Sequence, residues 1–186
     1  MGLADGTYPL GPRSGRLLVK TARTGLGARA GHDLTIEVTS WRGSVVVDSA
    51  NPAASRVTLT ADVGSFEVRT GTGGVKPLTG GDRAEIKRTL TGKILQASRH
   101  PVISFTSTAV TGTPSGFQLE GDLTVAGVTR PVTVRGTLAG DRAQGSATVT
   151  QSRWGIKPYS AFFGALKLSD DVEVEFDVTL APGAPE

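Results

Sequence analysis

Two histidines, His32 and His100, and the absence of cysteine leave few side chains able to hold a metal or shuttle a proton near neutral pH. His32 stands in Gly31-His32-Asp33, where an imidazole beside a carboxylate has the makings of a general base, or of half a metal site if a second His joins it. The two histidines show no ligand spacing, and each has a simpler place. His32 reads as a turn residue entering a strand, and His100 as a helix-end residue before Pro101, favoured by the negative end of the dipole. Serine and threonine are plentiful, but no Gly-x-Ser-x-Gly elbow occurs and no serine stands beside an identifiable base. The Gly-rich stretches GLGARAG and TGTGGVKPLTGG lack the Lys-Ser/Thr ending of a phosphate loop. These residues point to no catalytic group, no metal and no cofactor.

Charge is distributed unevenly. Lys76, Arg83, Lys87, Arg88, Lys93 and Arg99 cluster in one region against Asp82 and Glu85, while Asp170, Asp171, Glu173, Glu175 and Asp177 gather near the C-terminus. The basic cluster suits an anionic head group or a membrane surface; the plainer reading is a solvated helix face and a solvated strand face. That basic stretch carries no aromatic residue to stack on bases, so nucleic-acid binding is not expected.

The elements that must position any site are strands. Aromatics make up only 5% of the 186 residues while glycine reaches 25, a mixture that favours strands and tight turns. Residues 16–20 form a short first strand. Leu34, Ile36 and Val38 alternate with polar residues, Val45 and Val47 continue the pattern, and Val57, Leu59, Ala61 and Val63 supply the next apolar face. Gly64 interrupts that face and Phe66 and Val68 resume it, which predicts a bulge. Asp82 is expected to cap a helix over 82–96 with Glu85 completing a capping box, and Ile86, Leu90 and Ile94 share one face of it. Beyond Pro101 come the strand VISFTSTAV and two alternating strands joined by the turn Gly127-Val128-Thr129-Arg130-Pro131. Val132, Val134 and Leu138 then share a face whose missing position is Gly136. Ala147 and Val149 precede the irregular segment RWGIKPYSAFFGAL, and Val172, Val174, Phe176, Val178 and Leu180 alternate with charged and polar residues to the end. The pattern predicts an all-β fold, an antiparallel up-and-down barrel or a sandwich of about eight strands with one short helix.

The order of these landmarks resembles the YceI-like family of bacterial lipocalin-like proteins. The resemblance is carried by the helix leading into His100-Pro101-Val102-Ile103-Ser104-Phe105, by the hairpin Leu119-Glu120-Gly121-Asp122-Leu123-Thr124-Val125 with Gly127-Val128-Thr129-Arg130-Pro131-Val132, and by Arg153-Trp154-Gly155-Ile156. It covers residues 7–180 as one domain, with 1–6 and 181–186 read as flexible termini. It implies a lipocalin-like β-barrel around an apolar cavity that takes a long-chain amphiphile: a polyisoprenoid, an isoprenoid quinone, or a fatty acid or amide. Relatives often carry Asp and Ser near the start of the first strand and His at its end, where this chain has Gly11, Ser14 and Thr21.

The expected ligand-binding residues are therefore Phe66, Ile86, Leu90, Ile94, Phe105 and Leu123 in the interior, with Trp154, Tyr159, Phe162 and Phe163 in a loop folded over a barrel mouth. Arg83, Lys87 and Arg153 are candidates for a polar head group. The expected partner is an isoprenoid or fatty lipid, without stable membrane insertion, and a homodimer stays open. The chain is read as binding without bond making. The alternatives are an enzyme acting on an isoprenoid-type substrate through His32-Asp33, and a filled barrel serving as a protein-interaction module. The N-terminal stretch MGLADGTYPLGPRSG has no secretory-signal pattern, and with no cysteine present the expectation is a cytoplasmic protein.

Overall fold

A computed structural model describes residues 3–161 and 166–182. Its elements are β1 (Gly6–Leu10), β2 (Gly15–Lys20), β3 (Arg23–Thr24), β4 (His32–Val38), β5 (Trp41–Val47), β6 (Arg56–Asp62), β7 (Phe66–Gly73), α1 (Gly80–Arg88) continued by a π-helical turn over Thr89–Ile94, β8 (Val102–Thr113), β9 (Gly116–Val125), β10 (Val128–Ala139), β11 (Arg142–Thr150), β12 (Ser160–Ala161), β13 (Leu166–Leu168) and β14 (Asp171–Thr179). Eleven strands form one antiparallel sheet in the order β1-β5-β6-β8-β9-β10-β11-β14-β2-β4-β7.

Three consecutive pairs in that sheet are halves of single bent strands. β1 and β2 pair respectively with β5 and β4, and β4 and β5 pair respectively with β7 and β6. The corner between β4 and β5 is fastened to that between β6 and β7: Thr39 N–H donates to the Ser65 carbonyl at 3.1 Å and Asp62 N–H to the Ser40 carbonyl at 3.0 Å. Counted this way eight strands follow in chain order, and β14 pairs with β2 to bring the last beside the first. The result is an up-and-down barrel, which removes most sheet edges by closure. Where β7 swings away from β8, α1 packs against β7 and spans the gap.

Local chemistry departs from the sequence expectation in four places. The helix begins earlier: Thr79 is the N-cap, its Oγ1 accepting from Asp82 N–H at 3.1 Å while the Asp82 carboxylate accepts from Thr79 N–H at 2.8 Å. Gly80 and Gly81 are weak helix formers, yet they fit the first turn because the Thr79–Asp82 box satisfies its free N–H groups. Near residue 89 the helix widens, with Leu95 N–H reaching the Leu90 carbonyl, and Thr91 Oγ1 donates to the Lys87 carbonyl at 2.9 Å and competes with the helical ladder. Around Gly64 the chain makes a corner, and the register shift falls at Arg69, because Thr35 faces Thr70 while Ile36 faces Val68. The hairpin turn is the two-residue Ala126-Gly127, both at positive φ, and Val128–Pro131 already belong to β10. Pro131 is tolerated there because β11 joins β10 only from Arg135 onward, which leaves that stretch a local edge.

Of the six N-terminal residues read as flexible, Asp5 accepts a hydrogen bond from Ser49 N–H at 2.6 Å and Gly6 pairs with Val47. The outer face of β14 is tied to its neighbours: Asp177 accepts from Arg142 Nε at 2.8 Å, Glu175 lies 3.0 Å from Lys20 Nζ, and Glu173 accepts from Thr148. The Arg142 hydrogen bond holds the Asp177 carboxyl below its ordinary value of 3.8. The Thr79 backbone N–H and hydroxyl do the same for Asp82, and Ser49 does so for Asp5. A carboxylate with a depressed folded value contributes stability above its unfolded value and loses it as pH falls through the folded one. The urea midpoint is therefore expected to drop, modestly because these groups are exposed, as pH falls from about 4 to about 2, and Asp177→Asn should flatten part of that drop.

Candidate functional site

Inward-facing residues of the eight strands surround a cavity of about 1270 Å³ that runs the length of the barrel. Its wall is made by the alternation visible in the sequence. Leu17 and Val19, Leu34 to Val38, Val57 to Ala61, Leu119 to Val125 and Val172 to Leu180 present every second side chain to the lumen. The ionisable residues among its lining sit at the two ends. His32, Lys76, Asp82 and Glu85 lie at the helix end, and Asp48 lies at the opposite end.

An eight-stranded barrel is narrow enough for its own side chains to fill it. Three phenylalanines that line this one lie against inward glycines of the neighbouring strand. A Cβ on Gly121 would overlap the Phe105 ring, one on Gly136 the Gln144 carbonyl and the Phe117 ring, and one on Gly145 the Arg135 carbonyl and the Phe176 ring. Phe117 stands directly opposite Gly136 and Phe176 directly opposite Gly145 in their ladders. Each large apolar surface thereby lies along the wall and leaves the bore free.

The expected ligand residues fall in three groups. Phe66, Ile86, Leu90, Ile94, Phe105, Leu123 and Tyr159 line the cavity. Trp154 is buried outside the lining, at 1% exposure, and its Nε1–H donates to the Leu123 carbonyl at 2.9 Å, which braces the turn after β11 against β9. Phe162 and Phe163 lie outside the described residues.

None of the three head-group candidates borders the cavity. Arg83 donates to the Arg69 carbonyl, Lys87 pairs with Glu67, and Arg153 donates to the Pro131 carbonyl with its guanidinium 5.4 Å from the Trp154 ring centroid. Lys76 takes the cationic position at the mouth instead. Sequence reading did not single it out there because its loop is placed by a long-range contact: His32 Nε2 meets the Lys76 carbonyl at 2.7 Å, with the His32 ring packed on Gly74. Thr21 accepts from Leu34 N–H and also lines the mouth.

His32 and Asp33 point different ways, as neighbours on a strand do. Asp33 accepts from Arg23 N–H at 2.8 Å, while the His100 ring packs on Gly127 in the hairpin turn. Among the described residues no group of three or more His, Asp and Glu gathers as a metal site would require.

The comparisons agree with this architecture. A family model described as a YceI-like domain matches residues 18–180. The chain belongs to the YceI-like family. A UPF0312 protein of Pseudomonas aeruginosa is 32% identical over 126 residues, covering 62% of this chain and 59% of that protein. A UPF0312 protein of Yersinia enterocolitica is 32% identical over 150 residues, covering 77% of this chain and 64% of the relative. This chain thus spans about three fifths of the length of the curated relatives it matches. Burkholderia cenocepacia BcnA shares the fold with a TM-score of 0.63 at 18% identity, over 89% of this chain and 96% of that one. A Campylobacter jejuni YceI protein does so with a TM-score of 0.58 at 14% identity, over 81% and 85%. No helix among the described residues of this YceI-like chain is long and apolar enough to cross a membrane.

Two substitutions test the construction of the cavity. Gly121→Ala would press on both the Phe105 ring and the Thr106 carbonyl, so it should displace the ring, strain the β8–β9 ladder and cost about 1–3 kcal/mol in urea unfolding, the usual penalty of overpacking. Trp154→Phe keeps the bulk and removes the Nε1–H donor, for an expected loss of about 1 kcal/mol by the same measurement.

Proposed function

We propose that this YceI-like protein binds a long-chain amphiphile of the polyisoprenoid, isoprenoid-quinone or fatty acid and amide classes, and carries or sequesters it inside the barrel. The observation that carries this reading is the cavity. At about 1270 Å³ it exceeds the roughly 300–1,000 Å³ of pockets for compact ligands. It is also elongated: the twelve residues of β8 span roughly 40 Å extended, or about 30 Å along a barrel axis at ordinary tilt. Apolar walls with polar groups only at the ends suit a hydrocarbon chain with one polar head. The same cavity argues against a barrel packed solid for protein interaction.

In this reading the tail lies along Phe66, Leu90, Phe105 and Leu123, and the head rests among Thr21, His32, Lys76 and Tyr159 at the helix end. Binding is driven by apolar burial, roughly 25 cal/mol per Å² before association costs, with no bond made or broken. His32 spends Nε2 on the Lys76 carbonyl and Asp33 accepts from Arg23, so neither is arranged as a base, which supports carriage over catalysis.

Mass spectrometry of an organic extract of the purified protein is the direct test, and a near-stoichiometric long-chain amphiphile is the expected result. Added fatty acids of increasing length should bind more tightly by up to about 0.8 kcal/mol per methylene. Leu90→Trp, which intrudes on the bore, should weaken that binding by tenfold or more. Affinity indifferent both to chain length and to Leu90→Trp would exclude the cavity as the site.

A further inference from the structure

The described parts of the three long connections at the helix end, residues 21–31, 74–101, 151–161 and 166–170, together hold eleven Lys and Arg against three Asp and Glu, in a chain whose net charge is +3. The fold gathers these distant segments around one mouth. β3 pairs with β13 and β13 with β12, which joins the first connection to the third. The second is held by the His32–Lys76 contact and by Gly73, whose backbone abuts the Arg23 guanidinium.

Little of this charge is neutralised locally. Asp82 serves the helix cap and Asp170 accepts from Ser152 N–H at 2.8 Å. Among the described residues only Arg23 and Lys87 of the eleven cations are in ion pairs, with Asp33 and Glu67 on the adjoining strands.

The same rim exposes apolar side chains. Leu26 is 101% exposed, Val75 79% and Tyr159 46%, one on each connection. Val75 and Tyr159 also line the cavity, so they mark where it opens. The two other large exposed hydrophobics among the described residues, Val46 and Val102, lie on strands of the wall. The lining at the opposite end, Asp48, Ser49, Pro52, Thr111, Thr113 and Pro114, contains no Lys or Arg among the described residues, although Arg13, Arg56 and Arg142 stand on the turns and strand ends outside it.

We propose that the helix end docks onto an anionic lipid bilayer, with Leu26, Val75 and Tyr159 entering the headgroup boundary and the surrounding cations meeting lipid phosphates, so that cargo passes between bilayer and cavity through this mouth. Charge complementarity selects the occupant: connections rich in Lys and Arg that also carry exposed apolar tips have the pattern of a peripheral membrane surface. Its use for loading rests on the lipid-carrying reading, but docking itself is measured independently of cargo.

The test is co-sedimentation of the purified chain with vesicles of phosphatidylcholine alone and with about one third phosphatidylglycerol. Binding is expected only to the anionic vesicles, and it should fall as added salt shortens the screening length from about 30 Å at 0.01 M to about 8 Å at 0.15 M. The triple variant Arg29→Glu, Lys157→Glu, Lys167→Glu should need at least tenfold more lipid for half binding, and Leu26→Ser several-fold more. The triple variant Arg42→Glu, Arg56→Glu, Arg135→Glu, with the same change in net charge but on the barrel wall, should bind as the parent does.

Absence of binding to anionic vesicles at low salt would overturn the proposal, as would equal losses in the two triple variants. Retention on a nucleic-acid fragment without vesicle binding would likewise sink it, and so would a solution dimer that Leu26→Ser dissolves. A lipid-free extract combined with intact vesicle binding would remove the cargo reading and leave docking standing. A lipid-loaded protein that ignores vesicles would do the reverse.

Discussion

Everything about this barrel depends on its bore staying open, and that is settled where aromatic rings meet glycines. Phe105, Phe117 and Phe176 are large enough to plug a narrow eight-stranded barrel. Gly121, Gly136 and Gly145 have no Cβ, so ring atoms of the three phenylalanines sit in the space a side chain there would need. Glycine within a strand costs backbone entropy and leaves a gap in side-chain packing. Here the ring fills that gap and recovers apolar contact, so wall stability and interior space come from the same three pairs. The three rings face the lumen and stay partly buried, while other lining residues such as Ile36, Val38 and Phe66 are buried in the wall.

The bends act on a larger scale. The corners at Thr39-Ser40 and Val63–Ser65 let two strands serve two parts of the wall, and the Thr39–Ser65 and Asp62–Ser40 hydrogen bonds fasten them together. Because β7 leaves β8 at the corner, a gap opens at one end, and α1 with its π-helical extension covers it with Ile86, Leu90 and Ile94 toward the lumen. The two ends consequently have different chemistry, one built of short turns and the other of three long connections rich in cations.

Much of the wall was legible in the sequence. Alternation located the inward residues of the later strands, including the vacant position at Gly136, and placed Ile86, Leu90 and Ile94 on one face. Local misreadings arose where two signals compete. Pro131 looked like a turn residue because proline commonly is one, yet a strand edge without a second neighbour tolerates it. Gly80-Gly81 looked like loop, yet a cap three residues ahead of Asp82 recruits them into the helix. Arg83, Lys87 and Arg153 lie outside the cavity lining, where they engage Arg69, Glu67 and Pro131, contacts between segments that no local pattern reveals.

By itself the sequence determined the all-β class, the single helix, the approximate strand count and which face of each strand is apolar, because period-2 alternation and capping chemistry act between residues close along the chain. Only the tertiary structure decided that the interior is hollow, that Lys76 rather than the helix cations stands at its mouth, and that Leu26, Val75 and Tyr159 share one rim. Those facts depend on volume balance across facing strands and on contacts between segments far apart in the chain, such as His32 with Lys76 and Phe176 with Gly145.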